Sequence, residues 1–304
     1  MKGIKSLKAA VVFSVLAVMT LTSLAPSVHA EVWGVKSHDP ASDPPTTLFS
    51  LGDNGQGLVV IGKVKLAGND IDVDGLAQNA AGGLLGFQVA DGAWSRLITI
   101  NTVTAEATVV GATLTARDMR GAMFTADGRL FALDAANGLL VRIDPTTGSI
   151  IGAGLPLTVG EVPYHFSTFT DLTQRMDGST VMVDAILGGS KFYDMDIDTG
   201  VLVLLHTDVV NAPDSVPADI AGIATSPYGD NPERLITYDV RWDDDIFCYD
   251  PTNMWTRSNG PLDIISSYNA GRGDLAGPVI PEPATLALLA VGGLAMMRRR
   301  RAGR

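Results

Sequence analysis

The chain has 304 residues, 46% hydrophobic and 18% charged, and its 33 acids against 22 Lys and Arg give a formal net charge of −11. Three of the basic residues lie in the first 30 positions and five lie after Pro283, neither stretch holding an acid, so the segment between carries 14 bases against 33 acids, a net charge of −19. Such a body argues against nucleic acid and anionic membrane as partners and favours a divalent cation or a cationic surface.

Of the 33 acids, 28 are Asp, a residue favoured in turns and depleted from helices and strands, so the body is turn-rich. Cys248 is the single cysteine, which rules out an intrachain disulfide and leaves burial to supply the stability.

The chain opens with Lys2, Lys5 and Lys8, an apolar stretch from Ala9 to Leu24, and Val28-His29-Ala30. A basic start, an apolar core and a small-residue cleavage site define a secretory signal peptide over residues 1–30, with cleavage between Ala30 and Glu31.

Residues 31–277 repeat. The clearest unit runs Gly121 to Ala126, Arg129 to Ala135, Leu139 to Pro145 and Ser149 to Leu155, with tight turns at Asp127-Gly128, Asn137-Gly138 and Thr147-Gly148. Asn-Gly and Asp-Gly between β-rich runs signal hairpins, because both central residues of a type I′ turn need positive φ. The unit is therefore an antiparallel four-stranded meander. Its third strands end at Leu51, Ile100, Ile143, Met195 and Tyr249, and its first strands begin at Leu76, Ala122, Leu172, Ile223 and Leu275, both at a spacing near 50. The first copy has strands at Glu31 to Ser37, Thr46 to Leu51 and Leu58 to Lys65 but no first strand, and Asp274-Leu275-Ala276 is a first strand without a copy of its own. A last strand that completes the first sheet protects the edges of a radial array. The body thus resembles an all-β β-propeller of about five four-stranded blades with end-to-end strand closure. It lacks the Trp-Asp and Gly-His signatures of WD40 repeats and the Kelch double glycine.

Asp70, Asp72 and Asp74, followed by Gly75, match the first half of a calcium loop, and the position of the bidentate acid falls on Ala81. Calcium is the one cofactor the sequence suggests; the same alternation also suits a strand with its acids in water. Asp72, Asp118 and Asp219 each lie three residues before a glycine that opens a first strand, at Gly75, Gly121 and Gly222. They are candidates for an acidic mouth at the channel of the propeller, or for caps of their own turns. Asp243-Asp244-Asp245 reads as a solvated turn, and Arg272-Gly273-Asp274 as the entry to a first strand, equivalent to Arg120-Gly121.

Catalytic chemistry is poorly provided for, with no catalytic residue assigned. Outside the signal peptide the histidines are His38, His165 and His206, with no His pair at helical spacing, no nucleophile elbow, no phosphate loop and no cysteine cluster. Clustering of those histidines with an Arg would favour a carbohydrate-active lyase or hydrolase. Trp33, Trp94, Trp242 and Trp255 stack on sugars if exposed and pack if buried.

The tail, residues 278–304, holds Pro281-Glu282-Pro283, an uncharged run from Ala284 to Met297, then Arg298, Arg299, Arg300 and Arg301. The prolines set the start of a helix near Ala284. Its fourteen residues reach roughly 21 Å against a hydrocarbon core of about 30 Å, and the arginines keep its end cytoplasmic. This tail resembles the sorting signal of PEP-CTERM proteins, which implies recognition by an exosortase, a transient membrane anchor, processing near Pro281-Glu282-Pro283 and delivery to the cell surface or extracellular matrix. The expected protein is an exported binding or structural propeller, with exosortase, the export machinery and extracellular polysaccharide as partners. The alternatives are a carbohydrate-active propeller enzyme and a calcium-dependent adhesin.

Overall fold

The computed structural model describes residues 31–37, 46–52, 57–90, 93–186, 189–208, 220–225, 235–239, 246–249 and 272–279, and every described element is a strand. Among the described residues the strands form five antiparallel-based sheets. The third, which contains the clearest repeat, runs Met119–Phe124, Leu130–Asp134, Leu139–Ile143 and Ile150–Pro156 in simple meander order. Its turns use Gly128, Gly138 and Gly148, all at positive φ between 64° and 84°, where a side chain would be strained.

The other sheets follow the same plan. The second is built on Val73–Gln78, Leu84–Ala90, Trp94–Ile100 and Glu106–Val109, and the fourth on Thr170–Gln174, Thr180–Ile186, Gly189–Met195 and Val201–Asp208. In both, the chain leaving the preceding sheet adds a short parallel strand to the outer edge, at Lys65–Leu66 beside Glu106 and Ala107, and at Thr158–Val159 beside Val201 and Leu202. Covering part of an outer edge in this way removes free backbone groups that would otherwise pair with another chain. Three strands of the fifth sheet are described, Ile220–Thr225, Leu235–Asp239 and Ile246–Tyr249.

The first sheet joins the two ends of the body. Arg272–Ala276 pairs with Val32–Ser37, with Leu275 opposite Gly34, and Thr47–Leu51 and Val59–Lys63 follow outward. Gly34 is required there: a Cβ would sit 2.1 Å from the ring of Phe49 and 2.8 Å from Leu275.

Consecutive residues are buried along the inner strands because each sheet is covered on both faces. Val35 and Trp33 join Val73 and Leu76 between the first and second sheets, while Val32 and Leu275 join Ile236 and Tyr238 between the first and fifth. Phe87 meets Ala122, Met123 meets Leu172, and Val183 meets Ile223 in the three remaining clusters. The innermost strands lie against one another in chain order, and Arg272–Ala276 lies against both Ile220–Thr225 and Val73–Gln78.

One expectation needs correction. The inner strands of the second and third sheets begin at Val73 and Met119, so Gly75 and Gly121 lie inside them instead of opening them. The register shifts beside each glycine, between Asp74 and Ala77 and between Arg120 and Ala122, which are β-bulges. Polar Asp74 and Arg120 enter the strands because they neutralise one another across sheets.

Candidate functional site

The charged residues converge where the inner strands begin. Arg120 is 1% exposed and bonds Asp74 of the neighbouring sheet through one terminal nitrogen. Its other terminal nitrogen lies 2.7 and 2.9 Å from the two carboxylate oxygens of Asp118. Burial alone would lower the pKa of Arg120, but the two carboxylates outweigh it and hold the guanidinium charged. Separating such a buried cation from its anions would be costly, so this triad is rigid.

Beside it, Asp171 and Asp274 occupy the position that is Gly75, Gly121 and Gly222 in the other three inner strands. The glycines let the strands approach: a Cβ on Gly121 would stand 2.4 Å from Cα of Asp171, and one on Gly222 would stand 3.2 Å from Cα of Asp274. The aspartates use the same proximity to reach the next strand. Asp274 accepts the backbone N–H of Leu76 at 2.5 Å, and Asp171 accepts those of Ile223 at 2.7 Å and Leu172 at 2.6 Å.

Both carboxyls are deeply buried and face each other. Burial, then the neighbouring Asp274 charge, pushes Asp171 well above the usual carboxylate range, and burial pushes Asp274 up to about 7. No donor among the described residues reaches Oδ1 of Asp274, so one proton held between the two acids satisfies the pair. The arrangement links strands, since both oxygens of Asp171 and one of Asp274 accept from backbone N–H groups.

Two further aspartates tie the loops that enter inner strands. Asp134 accepts from Arg117, from the backbone of Asp118 at 3.2 Å and from Asn137 at 2.8 Å. Asp184 accepts from the hydroxyl of Tyr164 at 2.6 Å and from the backbone of Ser167 at 2.9 Å, and burial followed by this bond raises the pKa of Tyr164.

Of the candidate acids, the structure brings Asp74 and Asp118 together at Arg120. Asp70 lies on a short outer strand with Lys63 at 3.8 Å, Asp72 is half-buried just before an inner strand, and Asp74 is buried against Arg120. Asp118 is likewise bound to Arg120, and Asp219 lies outside the described residues. Among the described residues no three His, Cys, Asp or Glu side chains are grouped as metal ligands. His165 is exposed next to Gly138, while His206 is on an outermost strand opposite Phe192; His38 is outside the described residues. Trp33 is buried, and Trp94 is half-buried with the Arg96 guanidinium 5.5 Å over its ring. Trp242, Trp255 and Asp243-Asp244-Asp245 also fall outside, as do Ala30 and residues 281–304; Glu31 is exposed.

Sequence reasoning missed Arg120, Asp171 and Asp274 as the centre of the charged cluster. A signal was present: in the repeat alignment Asp171-Leu172 and Asp274-Leu275 stand where Gly75-Leu76, Gly121-Ala122 and Gly222-Ile223 stand.

The tail leaves the body directly after Arg272–Ala276, through Gly277, Pro278 and Val279. Residues 279–301 match the PEP-CTERM protein-sorting motif. The motif implies exosortase sorting and export of the chain. Among curated proteins no match was found. Similar solved structures include TolB from Acinetobacter baumannii, 15% identical with a TM-score of 0.44, covering 84% of this chain and 68% of that one. A protein of unknown function from Bacteroides thetaiotaomicron is 13% identical with a TM-score of 0.48, over 77% of this chain and 59% of that one. A catalytically inactive virginiamycin B lyase from Staphylococcus aureus is 14% identical with a TM-score of 0.40, over 79% and 69% of the two chains. The described body is all-β, five sheets whose inner strands lie against one another in chain order.

Proposed function

We propose that this is exported, exosortase-sorted cargo of the cell surface or extracellular matrix whose body is a closed five-bladed propeller, serving as a non-catalytic binding or structural module. The sorting-motif match over residues 279–301 carries the reading. Pairing of Leu275 with Gly34 supports closure, since it joins the last strand to the first sheet. The bound state of Arg120, Asp74, Asp118, Asp171 and Asp274 supports a structural use of the central charges.

The test is the C-terminal mass of the protein recovered from the surface and medium of its native host. A terminus near Pro281-Glu282-Pro283 is expected; an intact terminus at Arg304 would mean a plain membrane anchor and overturn the sorting reading. Incubating the recovered protein with the host's extracellular polysaccharide tests the second half. Unchanged polymer length is expected, and depolymerisation would make the body an enzyme.

A further inference from the structure

The inner strands Val73–Gln78, Met119–Phe124, Thr170–Gln174 and Arg272–Ala276 start at the cluster of Arg120 and Asp274 and finish together at the other end of the body. Their last residues, Gln78, Phe124, Gln174 and Ala276, line one shallow depression with residues 277–279. The fifth inner strand, Ile220–Thr225, finishes beside them: a Cβ on Gly277 would stand 3.0 Å from the carbonyl oxygen of Thr225 and 3.1 Å from its nitrogen. Val279 packs on the cluster of Ala77, Ala122 and Phe124 between the second and third sheets, although its own strand belongs to the first. The root of the tail therefore crosses the ends of the inner strands and does not leave from the rim of a sheet.

From Val279 the chain has five steps to Ala284, where the uncharged run begins. Fully extended, that is roughly 17 Å. A domain of about 250 residues has a radius of gyration of roughly 18 Å and is roughly 45 Å across. The tether is much shorter than the body, and it starts near the middle of one end. A body lying on its flank would hold that starting point half a diameter, roughly 23 Å, above a bilayer, beyond the reach of the tether.

We propose that the end of the body at which the inner strands finish is its membrane-facing surface, held at the lipid bilayer by the docked root of the tail until sorting, with the Arg120 end turned outward. Tether length sets this orientation, and charge does not: exposed Asp127 and Asp177 occupy turns at the membrane-facing end, so an anionic surface would not attract it. A C-terminus made near Pro281 lies within about 7 Å of Val279, so any group joined there sits at the same end and leaves the Arg120 end free for a partner. The proposal rests on the reading of the tail as a transient anchor and deepens it by naming the surface that meets the membrane.

The test compares two exposed alanines. Ala81 follows Val73–Gln78 at the tail end, and Ala136 follows Leu130–Asp134 at the Arg120 end. Ala81→Cys and Ala136→Cys are made separately in a Cys248→Ala background of the full chain and expressed in a host without an exosortase. Each is labelled with a fluorophore and reconstituted in phosphatidylcholine vesicles that carry a quencher-labelled lipid. The label of Ala81→Cys is expected to be quenched at least about twice as strongly as that of Ala136→Cys, since the depth of the body separates the two ends. Inserting about twenty Gly and Ser residues between Val279 and Ile280 gives a flexible tether of roughly 25 Å root-mean-square length and should erase most of the difference. Equal quenching without the insertion, or no association with the vesicles, would overturn the proposal. A difference that survives the insertion would mean direct lipid binding by that end and overturn the tether as its cause. The C-terminal mass from the native host reads sorting separately, so equal quenching beside a trimmed terminus sinks this proposal alone.

Discussion

Arg120 shows how much of this body's specificity rests on one side chain. It is nearly inaccessible, and its two carboxylate partners come from the residue just before its own strand and from the neighbouring sheet. Replacing it by Met leaves Asp74 and Asp118 buried without a counter-charge, a type of change that costs about 3–5 kcal/mol. Urea unfolding of Arg120→Met should show a loss of that order; a loss below about 1 kcal/mol would mean that water reaches the acids and that the triad is not dry.

The paired acids make a different prediction, and its sign is opposite to the usual behaviour of carboxylates. Asp274 has its folded pKa raised from an ordinary value of about 3.9 to about 7, and Asp171 is raised as well. The folded state therefore holds a proton that the unfolded chain releases. The stabilisation is complete below about pH 4 and is lost as pH rises through about 7. Surface acids act in the other direction. Asp144, held below its ordinary value by the hydroxyl and backbone N–H of Thr146, and Asp196, held down by the backbone N–H of Asp198, stabilise above about pH 4 and lose this as pH falls through their lowered values. The thermal midpoint should peak in mildly acidic solution and decline toward pH 8. Asp274→Asn keeps an oxygen for Leu76 N–H and removes the second acid, so it should flatten that decline. An equally steep decline in this variant would assign the pH dependence to other groups.

At the scale of the element, the inner strands are spaced by glycine and aspartate at one equivalent position. Gly121 is the clearest case: a Cβ there would stand 2.4 Å from Cα of Asp171 and 2.8 Å from one of its carboxyl oxygens. Since the obstacle is backbone, the strand itself must move. Gly121→Ala should cost about 1–3 kcal/mol, the usual range for forcing atoms into a packed core, measurable as a shift in denaturation midpoint without a change in slope. Gly128→Ala is the control, with positive φ but open space around the new atom, and it should cost about 1 kcal/mol from backbone strain alone. Equal losses at the two positions would show that the inner strands can spread without resistance.

At the scale of the whole molecule, the two ends of the body meet in one sheet, and the polypeptide passes from Ala276 through Gly277–Val279 into the sorting motif. The strand that joins the last sheet to the first is thus also the one next to the sorting motif. Its hold is non-local, because Leu275 packs with Val32, Phe49 and Tyr238 and Asp274 bonds Leu76.

Strand positions were legible in the sequence because turn chemistry is local. The expected third-strand ends Leu51, Ile100, Ile143, Met195 and Tyr249 are the ends of observed strands, each fixed by a nearby change from β-rich to turn residues. Tail identity was legible for the same reason, since Pro281-Glu282-Pro283, the apolar run and Arg298 to Arg301 are contiguous. The inner-strand starts were misplaced by two or three residues, because Asp74 and Arg120 look like turn residues until each is seen to neutralise the other across 46 positions. Of the acids chosen for a channel mouth, Asp118 is found in the Arg120 cluster. Asp171 and Asp274 stand out in the repeat alignment, but their partners lie 52 and 198 positions away and are seen only in the tertiary structure. By itself, then, the sequence determined an exported, turn-rich repeat of β-meanders with a sorting tail, since each of these features is carried by adjacent residues. Which charges are buried and which of them pair were decided by the tertiary structure, because solvation and pairing depend on neighbours brought together from different sheets.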